Sequence, residues 1–84
     1  MRKIKIFTQE ACPSCPPAKR LGELLIQQGK TVEFIDVKRV EGLTEAVLHN
    51  IRSTPSIVVV DHSGKEIAGW RAQTPSAEDI EQHI

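Results

Sequence analysis

The chain has little with which to hold a charged polymer, a membrane or a metal ion. Lysine and arginine number 11 and aspartate and glutamate 11, so there is no net charge to draw it to nucleic acid or an anionic lipid surface. No stretch nears the roughly 18 consecutive apolar residues of a membrane span. The opening "MRKIKIFTQE" is basic but has no apolar core of the secretory type, so the expected compartment is the cytosol. Aromatic residues are scarce: no tyrosine, two phenylalanines and one tryptophan. There are only two cysteines, Cys12 and Cys15. The histidines, His49, His62 and His83, are scattered and form no close pair, so four clustered zinc ligands are missing. Repeats, linkers and low-complexity segments are absent too.

What remains suits one small soluble domain spanning residues 1–84, with 39% apolar residues. "KIKIF" (3–7) alternates and predicts a strand. From 18 to 29, Leu21, Leu24 and Leu25 recur at helical spacing, with Gly29 as a stop. "TVEFIDV" (31–37) predicts a second strand. Leu43, Val47 and Ile51 recur every four residues and predict a short second helix facing the core, ending near Asn50. The β-branched run "SIVVV" (56–60) predicts a strand covered on both faces. "DHSG" (61–64) predicts a turn into "KEIAGW" (65–70). A last helix starts either from Ser76, answered by Asp79, or from Thr74 with Pro75 at its first position. Ile80 and Ile84 are expected to face the core. The fold class is therefore α/β, in the order β-α-β-α-β-β-α, with a mixed four-stranded sheet flanked by helices.

"ACPSCPPAK" (11–19) carries the chemistry. Two thiols three positions apart, between a strand and a helix in a βαβ unit, fit thiol redox chemistry. At a helix mouth the macrodipole and free N–H groups favour thiolate. Cys12, the outer thiol, is the expected nucleophile, and Cys15 would attack the mixed disulfide. Pro13 suits the first helical position, with the Ser14 and Cys15 N–H groups directed at the Cys12 sulfur. Pro16 and Pro17 then fall where a helix uses its N–H groups, which predicts an irregular first turn costing a hydrogen bond or two, with the regular helix beginning near Pro16. Two other readings use the same thiols: a metal or iron–sulfur module, and a redox-sensing adaptor without turnover. "IRSTPSIVV" (51–59) is the second informative stretch. A cis Thr54–Pro55 bond there would expose the Thr54 backbone to an extended substrate segment. Glu10, Arg52 and the histidines are expected in solvent, and Trp70 either in the core or beside a groove.

These residues together resemble the thioredoxin-fold oxidoreductases, the small glutaredoxin-like thioredoxins in particular. The likeness spans the whole chain and rests on "CPSC", "IRSTPS" and the element order. It implies an enzyme that reduces protein disulfides through Cys12 and Cys15. Thr54 and Pro55, with Pro13 and Ser14 between the thiols, would form its substrate-binding rim. It implies no bound cofactor and no bound metal, a monomer, and a thioredoxin-reductase-type electron donor ahead of glutathione. The chain departs from the family pattern at Ser14, where glutaredoxins carry an aromatic residue. It departs again at Gly69–Trp70 in place of a Gly-Gly pair, at Ala11 before the first cysteine, and at Ile6 in place of a buried aspartate.

Overall fold

The computed structural model describes all of residues 1–84. The strands are β1 (Lys3–Thr8), β2 (Thr31–Asp36), β3 (Ser56–Val60) and β4 (Glu66–Arg71). The helices are α1 (Pro16–Gln27), α2 (Val40–Leu48) and α3 (Ala77–Glu81). They occur in the expected order, β-α-β-α-β-β-α. The sheet runs β2-β1-β3-β4, with β1 parallel to β2 and antiparallel to β3, and β3 antiparallel to β4.

Alternation along the two central strands builds two cores. Ile4 and Ile6 of β1 and Ile57 and Val59 of β3 point to one face. There Ala18, Leu21 and Leu25 of α1 and Ile80 of α3 cover them. Phe7, Val58 and Val60 point to the other, under Ala46 of α2, with Ile35 and Ile51. Every residue of β3 is buried, as a strand covered on both faces must be.

Helix ends follow from local chemistry. After α1, Gly29 takes a positive φ of 84° while its N–H donates to the Ile26 carbonyl and that of Lys30 to Leu25. Asn50 ends α2 the same way, at φ 56°, with bonds from Asn50 to Val47 and from Ile51 to Ala46. Of the two possible starts for α3, Ser76 is the one used. Its hydroxyl accepts from the Asp79 N–H, and the Asp79 carboxylate accepts from the Ser76 N–H.

Several expectations need correction. Helix α1 begins at Pro16, where the proline pair places its regular start, but Leu24 of the expected stripe is exposed beside Ile26. Helix α2 is rotated from its expected setting. Leu43 and Val47 face solvent, Val47 at 67% exposure, while Gly42 and Ala46 face the sheet. The cause is proximity: a Cβ on Gly42 would meet the Asp36 carbonyl oxygen and lie 2.7 Å from its carbon. Only the smallest side chains fit that seam. Ile51 is buried, but beyond the helix end. Ile84 lies largely outside the core.

Two of the three histidines are also not free in solvent. The His49 side chain is 11% exposed, between Glu45 at 3.7 Å and Glu66 at 3.6 Å. Lys5 bonds Glu45 at 2.9 Å and Arg71 bonds Glu66 at 2.8 Å, so a line of charges ties α2 across β1 and β4. Gly69 leaves room for it, since a Cβ there would lie 2.5 Å from Arg71 Nη1. The other is His83, which packs edge-on to Trp70, itself set against the α1 core.

Candidate active site

Strand pairing brings the two informative stretches together. Phe7 of β1 lies opposite Ser56 of β3 in an antiparallel pair. The segment leaving β1 and the segment entering β3 therefore meet at one end of the sheet. Cys12 follows Phe7 by five residues and Thr54 precedes Ser56 by two.

Cys12 and Cys15 are joined by a disulfide, with Cα atoms 5.4 Å apart. The turn between them closes when the Cys15 N–H donates to the Cys12 carbonyl at 3.2 Å. Cys15 itself is the N-cap of α1, which puts Pro16 and Pro17 at the first two helical positions. This corrects three expectations: Pro13 sits in the turn, outside the helix, the Cys15 N–H serves the Cys12 carbonyl instead of its sulfur, and the proline pair costs no hydrogen bond. The first intrahelical bond runs from the Lys19 N–H to the Cys15 carbonyl. Before that point a helix has no use for its N–H groups, and prolines fit.

The two sulfurs differ in access. Cys15 is 1% exposed, while Cys12 is half-buried at the mouth, with Pro13 and Ser14 exposed beside it. The Thr54–Pro55 bond is cis, and Pro55 is buried. The Thr54 hydroxyl lies 3.5 Å from Cys12 Sγ and its carbonyl oxygen 3.8 Å. With no proton on sulfur in the disulfide, the second is a contact, whereas the hydroxyl donates. Gln9 Nε2 in turn donates to Thr54 Oγ1 at 3.2 Å.

Ser56 fixes the loop from below. Fully buried, it donates to the Ser53 carbonyl at 2.8 Å and accepts from the Ala72 N–H at 3.1 Å. It thereby joins the segment before Pro55 to the segment after β4. Gln9 and Ser56 were missed from sequence. Gln9 reads as an ordinary polar residue after a strand, and Ser56 as the first letter of a β-branched run.

Glu10 and Arg52 are exposed, as expected. Ile6, in place of an acid, is fully buried and offers no proton path to Cys15. No His, Asp or Glu joins the two cysteines in a three-ligand group, so the geometry does not favour the metal-module reading. A shallow groove of about 150 Å³ runs from Gln9 and Thr54 past Arg52 and Ile51 to Leu43.

This arrangement has close parallels. The sequence model of the thioredoxin domain matches residues 2–83. A probable thioredoxin from Archaeoglobus fulgidus is 34% identical over 62 residues, which are 73% of this chain and 68% of that protein. A thioredoxin from Methanocaldococcus jannaschii is 37% identical over 60 residues, 68% of each chain. Among solved structures, the reduced thioredoxin pre-protein of Schistosoma mansoni superposes with a TM-score of 0.81 at 20% identity, covering 99% of this chain and 79% of that one. Thioredoxin 1 of Thermosipho africanus gives 0.73 at 20% identity, covering 98% and 89%. The chain belongs to the thioredoxin family, and its Cys12–Cys15 pair makes it a thiol–disulfide oxidoreductase.

Proposed function

We propose that the chain reduces protein disulfides, with Cys12 as the attacking and Cys15 as the resolving sulfur. One observation carries the assignment: Cys12 is half-buried beside the Thr54 hydroxyl, whereas Cys15 is buried at 1% exposure. In the forward direction the Cys12 thiolate attacks a substrate sulfur. A Cys12–substrate disulfide forms and the substrate's other sulfur leaves as thiolate. Cys15 loses its proton and attacks Cys12 Sγ, closing the ring and releasing the second substrate thiolate. Two electrons pass from the dithiol to the substrate. The Thr54 backbone, beside the sulfur, pairs with an extended substrate segment. The donor that restores the dithiol is of the thioredoxin-reductase type. The family match supports this choice over glutathione, and so does "AGWRAQ", where Gly69 stands without a second glycine.

Insulin-disulfide reduction tests the assignment. Cys15→Ser should abolish turnover and accumulate a mixed disulfide at Cys12, while Cys12→Ser should trap none. Trapping at Cys15 instead reverses the assignment. Supplying NADPH with thioredoxin reductase should sustain turnover better than glutathione, and the opposite order overturns the choice of donor.

A further inference from the structure

We propose that Gln9 is a positioning residue for the Cys12 thiolate, acting through the Thr54 hydroxyl. The inference rests on Cys12 being the attacking sulfur. A threonine hydroxyl has one proton to give and lone pairs to receive. Gln9 Nε2 donates to Thr54 Oγ1 at 3.2 Å, and Thr54 Oγ1 donates to Cys12 Sγ at 3.5 Å. A thiolate only accepts. With the amide donor of Gln9 on its lone pair, the hydroxyl keeps its proton for the sulfur. Without Gln9 the hydroxyl turns freely, and water competes for that proton.

The helix mouth makes this donor matter. Pro13, Pro16 and Pro17 have no N–H, and the Cys15 N–H is committed to the Cys12 carbonyl at 3.2 Å. Of residues 13–18 only Ser14 and Ala18 keep an N–H outside that turn bond. The macrodipole remains, but most of the donors that normally accompany it do not. The side-chain hydroxyl of Thr54, from the opposite segment, replaces part of that solvation. The charged neighbours cannot take its place. Glu10 before the cysteines, Lys19 on α1 and Arg52 before Pro55 are all exposed, where solvent and salt screen them. Gln9 sits between the end of β1 and the cysteine turn, 45 residues from Thr54, so one amide fixes both the hydroxyl's rotamer and the spacing of the two segments.

The test is the pH profile of iodoacetamide alkylation of the fully reduced protein, with the alkylated cysteine identified by peptide mass mapping. Gln9→Met keeps the side chain's length without its amide, and Thr54→Val keeps shape without hydroxyl. Each should move the Cys12 midpoint upward and slow alkylation below that midpoint about fivefold, the worth of one ordinary hydrogen bond. The double variant should be no slower than Thr54→Val alone, because the two residues act in series. Thr54→Ser, with its hydroxyl intact, should keep the native profile. An unchanged midpoint in Gln9→Met, with Cys12 still the alkylated residue, overturns the relay and leaves the assignment of the attacking sulfur standing. So does a double variant in which the two effects add. Alkylation of Cys15 before Cys12 in the unsubstituted protein overturns both. A loss confined to the urea midpoint, with the pH profile fixed, assigns Gln9 a purely structural role and refutes the relay.

Discussion

Replacing Gly42 with alanine should destabilise this protein, against the ordinary rule for helices. Alanine in a helix interior is favoured over glycine by about 1 kcal/mol. In α2 that gain is available in principle, but the added Cβ meets backbone on the facing strand. It would lie 2.7 Å from the Asp36 carbonyl carbon, closer still to its oxygen, and 3.1 Å from Ile35 Cγ2. Carbon atoms pack best at about 3.5–4.0 Å, so the first of these contacts falls about 1 Å short. No rotamer change relieves it, because the Asp36 carbonyl is main chain. Helix α2 must lift, and Ala46, buried one turn on, lifts with it. Overpacking of this kind costs about 3 kcal/mol at the upper end of the usual range, leaving a net loss of about 2 kcal/mol after the propensity gain. That is a large share of the about 4–13 kcal/mol expected for a domain of this size. It corresponds to a melting temperature lower by roughly 8–16 °C. Urea unfolding followed by far-UV circular dichroism measures it, with Glu23→Ala on the exposed face of α1 as a control expected near zero. A Gly42→Ala protein as stable as the original, or more so, refutes the close approach of α2 to Asp36.

Three further outcomes follow from the same geometry. Ser56→Ala leaves the Ser53 carbonyl and the Ala72 N–H without their buried partner. It should cost about 2 kcal/mol in urea unfolding and raise KM for a protein disulfide more than it lowers kcat; an unchanged KM would show that the loop keeps its shape without the clamp. Asp61 is held down to about 2, first by the Ser63 hydroxyl and then by the Lys65 N–H. Its contribution is therefore complete above its ordinary value of 3.8 and fades as pH falls toward 2, so Asp61→Asn should flatten the urea midpoint against pH across that window. Gly22→Ala should loosen α1, because a Cβ there would lie 2.5 Å from the Phe34 ring and 2.8 Å from Ile6 Cδ1. Phe34 is a partly exposed edge-strand residue that can swing away, so the cost should be smaller than for Gly42→Ala in the same urea assay.

Much of the fold can be read from side-chain pattern. The order of elements, the doubly covered β3 and the glycine or asparagine stops all follow from periodicity and backbone preference. So does the meeting of "CPSC" with "STP", once β1 and β3 are paired. The facing of α2 does not. Leu43 and Val47 are the apolar positions, yet the sheet receives Gly42 and Ala46, because the seam admits small residues only. Hydrophobic periodicity reports what gains from burial, not how much room is left. A glycine and an alanine four apart were the available signal. Gln9 carried no signal at all, since its partner is 45 residues away and only the folded sheet brings it near.

That separation has a consequence for the life of the chain before it is folded. The dithiol is local, four consecutive residues, and exists in any conformation. Thr54 and Gln9 reach each other only after a long loop has closed and β1 has found β3, a slow, non-local step in folding. A nascent or unfolded copy thus carries two ordinary thiols, and the finished sheet converts them into a tuned pair. Reactivity at Cys12 is in that sense a certificate of folding, issued once the two halves of the chain have met.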